Sequence, residues 1–229
     1  MNRRDEIKAN LTEVNEKIAS ACLAANRDRE SVTLIVVTKT WPSSDIEILA
    51  DLGVTDVGEN RDQDAKAKHQ ELLHVPLTWH AIGQIQTNKA RSIATWADVV
   101  HSIDRPDLVS AFDRVTQTRE KPLEVLIQLD LDPTPTEKRG GIAPAKMFEL
   151  AKQISDTNGL QLAGVMAVAP LIGDPDTAFA DLQKHSTLLQ QDYPDATIIS
   201  AGMSQDFQNA IKYGATHLRI GSLVLGHRP

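Results

Sequence analysis

Val32-Thr33-Leu34-Ile35-Val36-Val37-Thr38 is a run of β-branched and aliphatic residues that stops at Lys39. Two heavy atoms on Cβ suit Val, Ile and Thr to a pleated sheet. The run reads as a buried strand, and it ends on an amine. Burial disfavours the ammonium form, lowers the pKa and yields a nucleophilic amine. A lysine that forms a Schiff base needs that state. A second signal, Leu218-Arg219-Ile220-Gly221-Ser222, lies near the other end of the chain.

Strand and helix patterns alternate outward from this run. Upstream, Ile7, Leu11, Val14, Ile18, Ala21 and Cys22 recur at three- and four-residue steps, which predicts an amphipathic helix with Cys22 facing the core. Downstream, strands are expected at 56–59, 77–82, 99–103, 123–129, 162–168, 197–201 and 218–220, after the first at 32–38. Ser43-Ser44-Asp45 reads as an N-cap, and Pro106 and Pro144 suit first helical turns. Gly53, Gly159 and Gly214 read as C-terminal glycines. Thr134 to Gly141 forms a polar loop after the fifth strand. Eight strands alternating with helices suit a doubly wound sheet or a (β/α)8 barrel. The count and the length of 229 residues favour the TIM barrel, whose usual size is about 250 residues. The expected architecture is one α/β domain over 1–229, with the extra N-terminal helix plugging or flanking one end.

Composition narrows the function. A formal charge of -7 argues against nucleic acid or an anionic membrane as the main partner. A single cysteine excludes an internal disulfide and a cysteine-based metal cluster. The N-terminus lacks the apolar stretch of a signal peptide, and no apolar run spans a bilayer, so a cytoplasmic protein is expected.

Active sites of this fold lie at the C-terminal ends of the strands. Lys39 follows strand one, Gly58-Glu59-Asn60 closes strand two and His80 lies in strand three. Ser200, Met203 and Ser204 follow strand seven, and Arg219, Gly221 and Ser222 close strand eight. The usual phosphate site of a barrel lies after strands seven and eight. Ser204 is placed to cap a helix starting near Gln205, and amides there and at Gly221 and Ser222 suit a phosphate dianion. Arg219 shares a face with Gly221 and suits the pyridine nitrogen of pyridoxal 5'-phosphate (PLP). A guanidinium does not give up its proton, so that nitrogen would stay unprotonated and the ring would be a weak electron sink. Read singly, each residue has a plainer account: a solvated Lys39, a turn at Asn60, a structural His80, packing at Met203 and Gly221, a rim ion pair for Arg219. His101, His185 and His217 lack metal-ligand spacing and receive no role.

At these residues the chain closely resembles the PLP homeostasis protein family, related to the N-terminal barrel domain of alanine racemases. The resemblance is carried by Val36-Val37-Thr38-Lys39, Gly58-Glu59-Asn60, Trp79-His80-Ala81-Ile82-Gly83, Gln86-Thr87-Asn88-Lys89 and Gly164-Val165-Met166. It is most specific in Ser200-Ala201-Gly202-Met203-Ser204-Gln205-Asp206-Phe207 and Arg219-Ile220-Gly221-Ser222, with Gly226-His227-Arg228 beyond. It implies PLP as a Schiff base on Lys39, Arg219 facing the pyridine nitrogen, and Ser204, Gly221 and Ser222 at the phosphate. Ser200, Met203 and Asn60 would line the cofactor. Gly83-Gln84-Ile85-Gln86, Ala201 and Ala167-Val168-Ala169-Pro170 depart from the family pattern, which bears on pocket shape.

The resemblance implies intracellular PLP homeostasis, with PLP-dependent apo-enzymes as transient partners and no robust catalysis. Racemization needs acid/base groups on both faces of the carbanion. Alanine racemases take the second group, a Tyr, from a separate β-domain of the partner subunit. No such domain is expected here, and Tyr193 and Tyr213 fall in or beside outer helices. A monomer is the expected state. The alternatives are a racemase of narrow scope, with His80 or water as the missing acid, and a barrel for another phosphorylated metabolite. Lys89, Lys138 and Arg139 are a candidate basic surface near the mouth, with solvated charge the plainer account.

Overall fold

A computed structural model describes residues 2–132, 140–170 and 172–226. Eight parallel strands close on themselves in sequence order. They are β1 (Thr33–Val37), β2 (Asp56–Glu59), β3 (Thr78–Ala81), β4 (Val99–Ile103), β5 (Leu123–Gln128), β6 (Leu160–Met166), β7 (Ile198–Ser200) and β8 (His217–Ile220). Closure runs through β1 and β8, with Ile35 opposite Arg219 and Val36 opposite Ile220. The expected barrel is therefore the observed one. The strand at 162–168 is displaced: β6 begins at Leu160, because Leu160 pairs with Leu123 and Gly159 accepts the Leu123 amide bond at 2.9 Å.

The helices are α1 (Arg3–Ala24), α2 (Ser43–Asp51), α3 (Asp62–Glu71), α4 (Ala90–Ile93), α5 (Pro106–Thr116), α6 (Met147–Ser155), α7 (Pro175–Asp192), α8 (Phe207–Lys212) and α9 (Ser222–Leu225). Helix α1 buries Ile7, Leu11, Val14, Ile18 and Cys22, the expected stripe. It lies alongside α8 and α9 and touches α2, rather than plugging an end of the barrel. Arg3 ties it down, donating to Asp45 at 2.6 Å and to the Leu225 carbonyl at 3.0 Å.

Three cap expectations need correction. Helix α2 starts at Ser43 itself, after Pro42, with no side-chain cap, and Asp45 serves Arg3 instead. Helix α8 starts at Phe207 behind Asp206, so Ser204 does not cap it; Asp206 Oδ1 accepts the Met203 amide at 2.6 Å. Gly53 and Gly214 do take positive φ after helices, but Gly159 is needed for another reason: a Cβ there would lie 2.2 Å from Thr116 Oγ1. Of the polar loop after β5, Gly140 and Gly141 are described and 134–139 lies outside the described residues.

Apolar packing separates into two layers. Val100, Val125 and Val165 belong to the large layer between barrel and helices. Their sequence neighbours Val99, Leu126 and Met166 form, with Ala163, a small separate cluster inside the barrel. Two-residue alternation produces this division except at Ala163, where the β5–β6 register skips from Leu162 to Gly164. The interior has few other aliphatic side chains. Asp56, His80, His101, Ser200, His217 and Arg219 share the same alternating face, so the centre of the barrel is polar.

Candidate functional site

The end of β1 is held by a buried ion pair. Lys68, on α3, donates to Glu59 Oε1 at 2.7 Å and to the Thr38 carbonyl at 3.1 Å. The Thr38 hydroxyl donates to the same Glu59 oxygen at 2.8 Å. Thr38 and Glu59 are fully buried. Lys39 therefore leaves an anchored strand end. The turn behind it closes through the Trp41 amide, which donates to the Thr38 carbonyl at 3.0 Å. Thr40 in that turn sits at φ 74, and its buried hydroxyl has no partner among the described residues. A β-branched residue there carries strain of order 1–3 kcal/mol. Lys39 is half-buried at the rim, rather than deep in the barrel.

A cavity of about 600 Å³ opens at the C-terminal ends of β1, β7 and β8. Lys39, Met203, Ser204, Arg219, Gly221 and Ser222 line it, with Trp41 and Ile82 as apolar walls. A second cavity of about 300 Å³ shares Lys39, Ile82, Met203 and Arg219 and extends to Asn60. The C-terminal mouth thus collects every expected binding residue except Ser200. Met203 is 39% exposed, a wall of the site and not core packing.

The Ser204 and Ser222 hydroxyls lie 3.1 Å apart. The Ser204, Gln205 and Ser222 amides donate to no backbone carbonyl among the described residues. Gly221 permits the close approach of the two strands, since a Cβ there would lie 3.1 Å from the Val37 carbonyl oxygen.

Arg219 is buried, and among the described residues it makes no ion pair. The rim ion pair considered from the sequence is absent among them. Nη1 donates to Ser200 Oγ, and Nη2 donates to the Ala167 carbonyl at 3.0 Å. Burial pulls its pKa down to about 10, against an opposing pull from Asp206. The group stays a cation at neutral pH. Ser200 stands behind Arg219, fully buried, and contacts the guanidinium rather than the cavity.

The histidines are more connected than their sequence spacing suggests. His80 Nε2 lies 2.9 Å from Asp56 Oδ1, and His80 Nδ1 lies 2.9 Å from His101 Nε2. His101 Nδ1 lies 2.9 Å from Ser200 Oγ. His80 lines neither cavity at the mouth, which removes it as the expected substitute acid. Burial, then His80, Arg219 and His217, drive the His101 pKa well below the ordinary value. Burial and His80 lower His217 to about 4 against the pull of Asp56. Burial opposes ionisation of Asp56, but hydrogen bonds from His80 and Thr55 and the nearby rings outweigh it and lower the pKa. No group of three or more His, Cys, Asp or Glu side chains placed to hold a metal occurs among the described residues.

Tyr193 and Tyr213 follow α7 and α8, and Tyr213 donates to Asp176 at 3.2 Å. Lys89 pairs with Asp62 at 3.6 Å, while Lys138, Arg139, His227 and Arg228 lie outside the described residues. No helix among the described residues is long and apolar enough to cross a membrane.

Residues 4–229 match the family described as alanine racemase, N-terminal domain. A pyridoxal phosphate homeostasis protein of Mycobacterium leprae is 38% identical, over 98% of this chain and 94% of its own. One from Corynebacterium glutamicum is 43% identical, over 89% of this chain and 94% of its own. The chain belongs to the pyridoxal phosphate homeostasis protein family. PipY of Synechococcus elongatus, solved with PLP bound, superposes with a TM-score of 0.79 at 33% identity, covering 91% of this chain and all of PipY (100%). Alanine racemase of Clostridium difficile, at 14% identity and TM-score 0.75, shares the fold over 98% of this chain and 60% of its own. The family assignment fits a barrel whose polar side chains gather at one mouth.

Proposed function

We propose that this chain binds PLP at the mouth of the barrel and carries it as a Schiff base on Lys39. It would hand PLP to apo-enzymes in the cytoplasm, acting as a monomer without robust catalysis of its own. The observation that carries the reading is the convergence of Lys39, Arg219 and the Ser204/Ser222 pair on one cavity of about 600 Å³. The residues fit the group: an amine for the aldehyde, hydroxyls and uncommitted amides for the phosphate, and Ile82 and Trp41 for the ring faces. When bound, PLP supplies an aldehyde that exchanges reversibly between amines. The chain supplies Arg219, a permanent cation that donates and never accepts a proton, so it favours an unprotonated ring nitrogen. That arrangement suits a racemase-like or non-catalytic site better than a transaminase, where an acidic partner keeps that nitrogen protonated. The outward positions of Tyr193 and Tyr213 also support a carrier, because no phenol then faces the cavity opposite Lys39.

Visible absorption of the purified protein, repeated on Lys39→Ala and followed by borohydride reduction and peptide mapping, tests the binding. An adduct on Lys39 that the variant lacks is expected. A protein that stays colourless with added PLP overturns the reading. Incubation with amino acids separates the roles: sustained turnover would sink the carrier assignment, whereas loss of PLP to an added apo-enzyme would support it.

A further inference from the structure

A polar chain crosses the barrel behind the cavity. It runs from Asp56 at the start of β2 through His80 on β3, His101 on β4 and Ser200 at the end of β7 to Arg219 on β8. Its links are Asp56 Oδ1 to His80 Nε2, His80 Nδ1 to His101 Nε2 and His101 Nδ1 to Ser200 Oγ, each 2.9 Å, and then Ser200 Oγ to Arg219 Nη1. His80, His101, Ser200 and Arg219 are all buried.

The two ends fix the direction of every link. An ionised Asp56 only accepts, so His80 carries its proton on Nε2. The bare Nδ1 of His80 then accepts from His101 Nε2–H. The bare Nδ1 of His101 accepts the Ser200 hydroxyl proton. Read from the other end, Arg219 only donates, so the Ser200 oxygen accepts from it and its one hydrogen is left for His101. Both readings give one arrangement with every donor and acceptor used. A doubly protonated His80 would reverse the inner links and leave the buried Ser200 hydrogen without an acceptor. It would also add a cation facing His101, His217 and Arg219.

We infer that Asp56, His80, His101 and Ser200 are positioning residues for Arg219. The aligned dipoles point their negative ends toward a buried guanidinium that makes no ion pair among the described residues. The chain links its charge to that of Asp56 and holds Nη1 at Ser200, while Nη2 is held at Ala167. The part of the inference that concerns ligand rests on the proposed PLP site: the relay fixes the orientation in which Arg219 meets the ring nitrogen.

Nitrogen-15 NMR of the histidine-labelled full chain without PLP tests the relay itself. Both His80 and His101 are expected as Nε2–H tautomers at pH 7, assigned by their disappearance in His80→Gln and His101→Gln. An Nδ1–H tautomer or a doubly protonated ring at either position overturns the relay, whatever the protein binds. PLP titration then tests its consequence. Asp56→Ala and His101→Gln, neither of which lines the cavity, are expected to weaken PLP binding roughly tenfold, the scale of one charge-assisted hydrogen bond, and to shift the absorption band of the bound cofactor. Thr55→Ala, which removes only a side bond to Asp56, should leave both at wild-type values. Wild-type affinity and band in Asp56→Ala and His101→Gln would refute the positioning role. Failure of the wild-type chain to bind PLP would refute the cofactor reading, with the tautomers still deciding the relay.

Discussion

Lys68→Met isolates the anchor beneath Lys39. The substitution keeps the length of the side chain and removes the ammonium that meets Glu59 at 2.7 Å and the Thr38 carbonyl at 3.1 Å. Glu59 is fully buried, and its Oε2 already has no partner among the described residues, so the carboxylate is left with the Thr38 hydroxyl. Removing one member of a buried pair costs roughly 3–5 kcal/mol. An independent bound agrees: a stranded carboxyl escapes its charge by taking a proton, and at pH 7 that costs about 3.7 kcal/mol from an ordinary pKa near 4.3. For a chain of this size about 2–4 °C is lost per kcal/mol, so the melting temperature should fall by about 6–20 °C. The sign with pH follows from linkage. The stranded carboxyl has a folded pKa above its unfolded one, so its penalty is full above the folded value and fades as pH falls. The electrostatic part should shrink to about 1 kcal/mol by pH 5. Urea unfolding of wild type and variant at pH 7 and 5 reads both numbers. A deficit under about 1 kcal/mol at pH 7, or one unchanged between the two pH values, would refute the argument. Lys68→Met/Glu59→Leu should recover most of the loss, since an apolar pair often replaces a buried ion pair at little cost.

Gly164→Ala should not yield folded protein, because a Cβ at φ 152 would lie 1.9 Å from the Ile198 carbonyl oxygen; a cooperative melt near wild type would contradict this. His217, held near pKa 4, is neutral in the fold, so stability is present above its unfolded pKa of about 6.5 and is lost as pH falls toward 4. The full loss is of order 3 kcal/mol. His101, also lowered, acts in the same window and Asp56 only below its ordinary carboxylate range, so His217→Gln should reduce, without abolishing, the fall of the urea midpoint between pH 6.5 and 4.5. Arg219→Met removes the cation while keeping bulk, and should weaken PLP binding at least tenfold with Lys39 still labelled by borohydride; unchanged affinity would remove Arg219 from the site.

The barrel was legible because its signal is repeated. Val32 to Thr38 alone could belong to many sheets, but eight such runs separated by helix-length segments leave few architectures. Lys39, Asn60 and Arg219 followed from the fold, since strand ends in a closed barrel share one mouth. Helix starts were read less well. Ser43 and Ser204 have the chemistry of caps, yet Asp45 is drawn to Arg3, and the Asp206 and Phe207 amides that a Ser204 cap would accept both donate to the Met203 carbonyl. At Ser43 the competition is decided by Arg3, 42 residues from Asp45, and local pattern does not contain it.

The histidines mark the deeper limit. Metal-ligand spacing among His101, His185 and His217 does not capture what His101 does, because both of its ring nitrogens are met by side chains, His80 and Ser200. A more useful signal was present: Val99-Val100-His101-Ser102-Ile103 and Thr78-Trp79-His80-Ala81 each place one imidazole inside a strand that is otherwise buried. An imidazole there has two nitrogens to satisfy, and helices packed outside the sheet offer aliphatic surface. Its partners must therefore come from neighbouring strands on the inner face. Alternation then selects Asp56, Ser200, His217 and Arg219, and the register brings Gly58 opposite His80 and Met166 opposite Ser200. A buried guanidinium at the far end of that set requires compensation that Ser200 alone does not give. Polar residues spread across five strands are thus one feature, and the property that unites them is the charge of Arg219 at the floor of the cavity.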